Sequence, residues 1–233
     1  MDGAVAPELG PEAVVDAPGS ALDVMRGLVR AYATRPDVRS IAVVGNAPLE
    51  PSDERAAAID GCDLVIRCNS FVLDERDGPA SVGGRVDVVV FNRLLYAAPR
   101  VFDSYRDRLY LMVEPGALHR NADRRPPRWP ADLGHLVVPN REITLPLSEA
   151  LGLASRDEPV WATTGLMSVW IAALLFPDAE LNLAGFSMIE DRTQVEWTHA
   201  WGDSCRVGRE HRIEPEGRLL ASWVSSGRAV LLR

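Results

Sequence analysis

The stretch Ile41-Ala-Val-Val-Gly45-Asn46-Ala-Pro48, followed by Asp63-Leu-Val-Ile66-Arg-Cys-Asn69, decides the fold. Each part is a short apolar run rich in β-branched residues and closed by a polar residue suited to a turn, and the polar stretch Ser52 to Ile59 between them has room for a helix. Runs that are apolar at every position belong to strands buried on both faces, the situation of a parallel sheet covered by helices. Working outward, Asp87 to Phe91, Leu109 to Val113, His135 to Val138 and Leu181 to Ala184 read as further strands, the last after a helix from Leu166 to Phe176. Upstream, Leu22, Met25, Leu28, Val29 and Tyr32 fall at helical spacing from Ala21, in a helix that ends before Pro36. The expected fold is a single-domain, Rossmann-like, doubly wound α/β structure with a mostly parallel sheet.

A chain of 233 residues, 47% of them hydrophobic, is enough for one sizeable core. Residues 1–20 are rich in Ala, Pro, Gly and acidic residues without periodicity, so they read as a flexible tail and 21–233 as the domain. A net charge of −8 would repel a polyanion, which argues against binding nucleic acid. Every basic residue except the histidines is Arg. Without Lys, a Walker-type phosphate loop and Schiff-base or pyridoxal-phosphate catalysis are excluded. Cys62, Cys68 and Cys205 have neither C-x-x-C spacing nor the density of a disulfide scaffold, so a reducing compartment is expected. No signal peptide opens the sequence, and no apolar run approaches the roughly 20 residues of a membrane span, which predicts a cytoplasmic protein without membrane insertion. Two segments break the strand-helix rhythm. Glu114 to Gly134 carries Arg120, Arg124, Arg125 and Arg128 and reads as a long surface loop; Met188 to Arg209 is polar and irregular and holds Trp197, His199, Trp201 and Asp203.

In an open α/β sheet, ligands sit beyond the carboxyl ends of the strands. Asn46, Asn69 and Asn92 follow three successive strands, and an amide offers both donors and acceptors to a base or a ribose. Any one of them alone also reads as ordinary turn chemistry. Thr163-Thr164-Gly165 precedes the long helix, where free N–H groups and the dipole favour a phosphate; a simple Thr N-cap is the alternative. His211 sits in a charged stretch and by itself reads equally as a surface residue, while His199 lies between two tryptophans. A zinc site from His199, Asp203, Cys205 and His211 is also open, although the spacing fits no common zinc pattern. The turn after the first strand, Gly45-Asn-Ala-Pro-Leu-Glu50, lacks G-x-G-x-x-G and so does not fit a dinucleotide-binding oxidoreductase.

VVGNAP followed by IDGCDLVIRCNSF resembles the large sialyl motif of the family 29 glycosyltransferases. WATTGLMSVWIAALLFPDAELNLAGF resembles the small motif, WTHAWGD the third, and His211-Arg-Ile-Glu-Pro-Glu216 the very small motif with four residues between its His and its Glu. The four occur in family order and span most of the chain. The resemblance implies a variant GT-A-type fold and an inverting, metal-independent transfer of a sugar acid, sialic acid or a relative, from a cytidine monophosphate (CMP) donor to an acceptor hydroxyl. It implies that Asn46 and Asn69 hold CMP, and that Thr163, Thr164 and Gly165 bind its ribose and phosphate. His199 would then contact the leaving phosphate, His211 act as general base and Glu216 orient the last motif. No cofactor or metal is expected, and no Asp-x-Asp pair occurs in the chain. An imidazole with an unperturbed pKa of ~6.5 suits removal of a hydroxyl proton at neutral pH.

Animal members pair a Cys in the large motif with one in the small motif; Ile41 and Phe176 occupy those places here, so that disulfide is not expected. The lack of an anchor and stem fits a bacterial cytosolic protein. Hydrolysis of a CMP-sugar, transfer of a Kdo-like acid to a small metabolite, and a nucleotide-binding module without turnover stay open as alternatives.

Overall fold

The computed structural model describes residues 19–92, 99–114 and 129–233. Seven strands form one parallel sheet in the order β5-β4-β3-β2-β1-β6-β9. They are β1 (Ser40–Val44), β2 (Leu64–Cys68), β3 (Val88–Phe91), β4 (Leu109–Met112), β5 (Leu136–Val137), β6 (Glu180–Ala184) and β9 (Ala229–Leu231). From β1 the chain winds outward one way to β5, then crosses back to lay β6 on the other side of β1. That reversal is the switch point at which an open sheet leaves a crevice between its loops. A short antiparallel pair, β7 (Glu196–Thr198) and β8 (Ser204–Arg206), stands apart from the sheet.

Side chains of successive strand residues pack on opposite faces. Ile41 and Val43 join Leu64, Ile66, Val88 and Val90 against α1 (Ala21–Arg30), α5 (Thr164–Leu175) and α6 (Ile213–Ser225), whereas Ala42, Val44 and Val65 face Ile59 of α2 (Asp53–Gly61). A second cluster on β3 and β4, with Phe91, Tyr110 and Trp129, packs on Val101 of the short α3 (Pro99–Phe102). Another short helix, α4 (Leu145–Ala150), places Leu147 in the first cluster. The expected doubly wound α/β class is the one observed.

α5 is buried on every side from Leu166 to Leu175, as befits a helix apolar all round. The sheet covers one side of it, and Trp170 stacks on Trp223 of α6 at 6.1 Å on another. Arg26 of α1 donates to the Leu175 carbonyl at 2.7 Å, satisfying an acceptor at the helix C-terminus. Arg67, 1% exposed, donates to the carbonyls of Val82 and Arg85 at 2.7 and 2.9 Å and so ties the crossover after β2 to the sheet beneath Asn69.

Several expected boundaries move. Ser20, assigned to the tail, caps α1 by accepting from Asp23 N–H, and α1 ends at Arg30, well short of Pro36. α5 starts at Thr164 rather than Leu166, because Thr163 is its N-cap. The segment Met188 to Arg209 is not irregular throughout, since it contains a 3₁₀ turn and the β7–β8 hairpin. The rest of the proposed tail, residues 1–18, lies outside the described residues, as do Arg120, Arg124, Arg125 and Arg128.

Candidate active site

A cleft of about 250 Å³ opens at the carboxyl ends of β1, β2, β3 and β6. Its floor is set by a close backbone approach at the switch point. A Cβ on Gly45 would lie 2.3 Å from the Gly185 carbonyl oxygen, and Gly185 itself has φ +71°. Only glycine fits such a contact without displacing the backbone. The cleft is lined by Asn46, Asn69, Asn92, Thr163, Thr164, Gly165, His199 and His211, so every expected contact residue converges on one place. Glu216 stands immediately behind it, fully buried.

Asn46 is oriented by the sheet, and Asn69 and Asn92 by each other. Asn46 donates through Nδ2 to the Cys68 carbonyl at 3.0 Å. Asn69 adopts the left-handed conformation, φ 52°, which asparagine tolerates, and its Oδ1 accepts from both N–H and Nδ2 of Asn92 at 3.3 Å. Asn92 Nδ2 also reaches Thr164 Oγ1 at 3.3 Å, linking β3 to the start of α5. Asn69 and Asn92 are thus a connected pair that reaches the start of α5, while Asn46 is anchored on the end of β2.

At the α5 N-terminus, Thr163 Oγ1 accepts from Leu166 N–H at 3.2 Å and donates to Glu216 Oε2 at 2.6 Å, while Thr163 N–H donates to both Glu216 oxygens at 3.1 Å. Thr163 is therefore the N-cap of α5, and its hydroxyl hydrogen is committed to Glu216. The next N–H groups, of Thr164 and Gly165, belong to the first turn, where a helix has no partner for them, and both residues line the cleft. They and the helix dipole give this wall a positive electrostatic character. Glu216 sits in the first turn of α6, pinned there because Gly217 packs on the Met188 carbonyl so closely that a Cβ would lie 2.2 Å away. Burial pushes the Glu216 carboxyl up to about 7, against the opposing pull of its Thr163 hydrogen bonds.

The two histidines come from separate segments, His199 from the β7–β8 turn and His211 from just before α6. His211 is held by a backbone bridge, Trp161 N–H to the Glu210 carbonyl at 2.9 Å, and its Nδ1 lies 3.1 Å from the Trp161 carbonyl. A carbonyl can only accept, so Nδ1 carries the hydrogen in the neutral ring and Nε2 keeps its lone pair. Glu210 Oε1 is 3.7 Å from Nε2. At 19% side-chain exposure His211 is a pocket residue rather than a solvated one. His199 stands on the β7–β8 turn, which is docked on the site by the Ala200 N–H bond to the Asn46 carbonyl at 2.9 Å.

Phe186, Met188 and Trp197 supply an apolar wall to the cleft. Phe186 was legible as the end of the small-motif strand and Trp197 as the first residue of WTHAWGD, whereas Met188 carries no local signal. Cys68 and Cys205 also line the cleft, and burial pushes the Cys68 thiol up to about 12, leaving it a neutral, unreactive wall. All three cysteines are free. His199, Asp203, Cys205 and His211 do not gather into a metal-ligating group among the described residues. No helix among them is long and apolar enough to cross a membrane.

Comparison with family models gives no match, and comparison with curated protein sequences gives none. Solved structures do match. A mammalian sialyltransferase superposes with a TM-score of 0.57 at 17% identity, over 93% of this chain and 80% of the other. A mammalian sialyltransferase in complex with Gal-beta-1-3GalNAc-ortho-nitrophenol gives 0.55 at 16% identity, over the same shares. Identity this low speaks to architecture alone: the chain has a sialyltransferase-like, GT-A-like fold.

Proposed function

We propose that the chain is a bacterial, cytoplasmic glycosyltransferase of the family 29 type, which transfers a sialic acid or related sugar acid from a CMP-linked donor to an acceptor hydroxyl, with inversion and without a metal ion. The observation that supports this most is the convergence of the asparagine set, the α5 N-terminus and two histidines from separate motifs on one cleft at the switch point. Two buried free thiols agree with a reducing compartment.

In this reading Asn46, Asn69 and Asn92 receive the nucleoside, and the Thr164 and Gly165 N–H groups receive the phosphate. Thr163 and Glu216 hold the helix start in place. The acceptor proton passes to Nε2 of His211 as the acceptor oxygen bonds to the anomeric carbon. The bond from that carbon to the phosphate oxygen breaks, and its electron pair leaves with CMP. Attack opposite the leaving group inverts the centre. Charge grows on the phosphate as the bond breaks, so the helix N-terminus and His199 stabilise the transition state more than the bound donor. Glu210 faces the imidazolium that forms on His211.

Calorimetric titration with CMP, with and without EDTA, tests the donor half; absent binding, or binding only with divalent ion, would overturn it. Incubation with CMP-sugars and candidate acceptors tests the transfer. His211→Ala is expected to lower transfer by about 10²–10⁴-fold with CMP affinity kept. CMP release indifferent to acceptor would make the protein a hydrolase instead.

A further inference from the structure

The turn between β7 and β8 folds around His199. Its Nδ1 lies 2.5 Å from Asp203 Oδ1, and its ring stacks on the Trp201 indole with centroids 4.5 Å apart and planes 8° from parallel. Asp203 accepts from Trp201 as well as from His199, and these hydrogen bonds, that from Trp201 foremost, hold its carboxyl below the usual carboxylate range. Backbone bonds lock the turn: His199 N–H to the Asp203 carbonyl and Gly202 N–H to the His199 carbonyl, both at 2.9 Å. His199 lines the cleft, whereas Asp203 stands outside the lining with 61% of its side chain exposed.

We propose that Asp203 is a positioning residue that anchors the Nδ1–H of His199 and balances the charge of a ring carrying both hydrogens, so that Nε2–H donates to a phosphate oxygen in the cleft. The inference rests on the CMP-site reading above. A carboxylate can only accept, so the Nδ1 side of the ring always carries hydrogen. A neutral ring in that tautomer has a lone pair at Nε2 and cannot donate to a phosphate. With oxyanions at both nitrogens, the ring carries both hydrogens, and the Asp203 charge is what balances them. The stacked Trp201 opposes a flip of the ring, which would take Nδ1 away from Asp203. Asp203 thereby acts on the phosphate through His199, with no contact of its own.

The test is calorimetric binding of CMP and of cytidine to the wild type, Asp203→Asn and Asp203→Glu. Asn keeps an acceptor in the turn but removes the charge. The expected result is CMP affinity about tenfold weaker in Asp203→Asn, the scale of a lost charge-assisted hydrogen bond, with cytidine affinity within about twofold and partial recovery in Asp203→Glu. Imidazole ¹⁵N spectra should show the Nδ1–H···carboxylate signature in the wild type and its loss in Asp203→Asn. Unchanged CMP affinity in Asp203→Asn, or equal losses for CMP and cytidine, would overturn the inference while wild-type CMP binding leaves the functional reading standing. Failure of the wild type to bind CMP at all would remove both.

Discussion

Replacing Glu216 by Gln removes a carboxyl that is fully buried behind the candidate phosphate wall, and the effect has a sign that depends on pH. Burial moves this group from its ordinary 4.5 to about 7. The folded chain therefore holds the proton more tightly than the unfolded chain, so the contribution of the group to stability is full below pH 4.5 and falls as pH rises towards 7. At ~1.36 kcal/mol per pH unit, the interval from 4.5 to about 7 amounts to about 3 kcal/mol. In Glu216→Gln that dependence disappears, while any cost of fitting the amide against Thr163 is the same at every pH. The assay is urea unfolding of both chains at half-unit steps from pH 4.5 to 8, comparing the difference between them so that all other titrating groups cancel. The expected difference moves by about 3 kcal/mol in favour of the variant as pH rises, then stays level above 7.5. A constant difference, or one that moves in favour of the wild type, would refute the reasoning.

Thr163→Ala deletes the α5 cap and the hydroxyl donor to Glu216 together, so equilibrium unfolding should show a loss of about 2–4 kcal/mol, with Thr163→Ser within about 1 kcal/mol of the wild type. Gly45→Ala puts a methyl 2.3 Å from the Gly185 carbonyl oxygen and forces β1 and β6 apart at the switch point. A loss of about 1–3 kcal/mol by denaturant unfolding, with weakened CMP binding by calorimetry, is the expected outcome.

Much of the site was readable in one dimension because its parts lie at strand ends. Asn46, Asn69 and Asn92 each close an apolar run, and parallel strands that start on one side of a sheet must finish together on the other. Thr163 to Gly165 was visible for the same reason at the start of an apolar helix. α6 went unread although Ile213, Leu220 and Trp223 fall on one helical face with acidic residues in the first turn, because its polar surroundings and Pro215 weaken the pattern. The β7–β8 hairpin has no such signal. Its strands are three residues each, exposed along β8, and it is held by backbone contact with the Asn46 loop.

The environments of Glu216 and His211 belong to the tertiary structure. A Glu in a charged stretch, Glu214-Pro-Glu216, gives no sign that one carboxyl is exposed and the other fully buried on Thr163; the difference comes from which side of α6 meets α5. Likewise His211 has a free Nε2 only because Nδ1 meets the carbonyl of Trp161, fifty residues away. Local sequence sets periodicity and turn chemistry, and from these the sheet, the long helix and the strand-end amides follow. Tautomer and burial are set by atoms that only folding brings within hydrogen-bond range, such as the Trp161 carbonyl at His211 and Thr163 at Glu216.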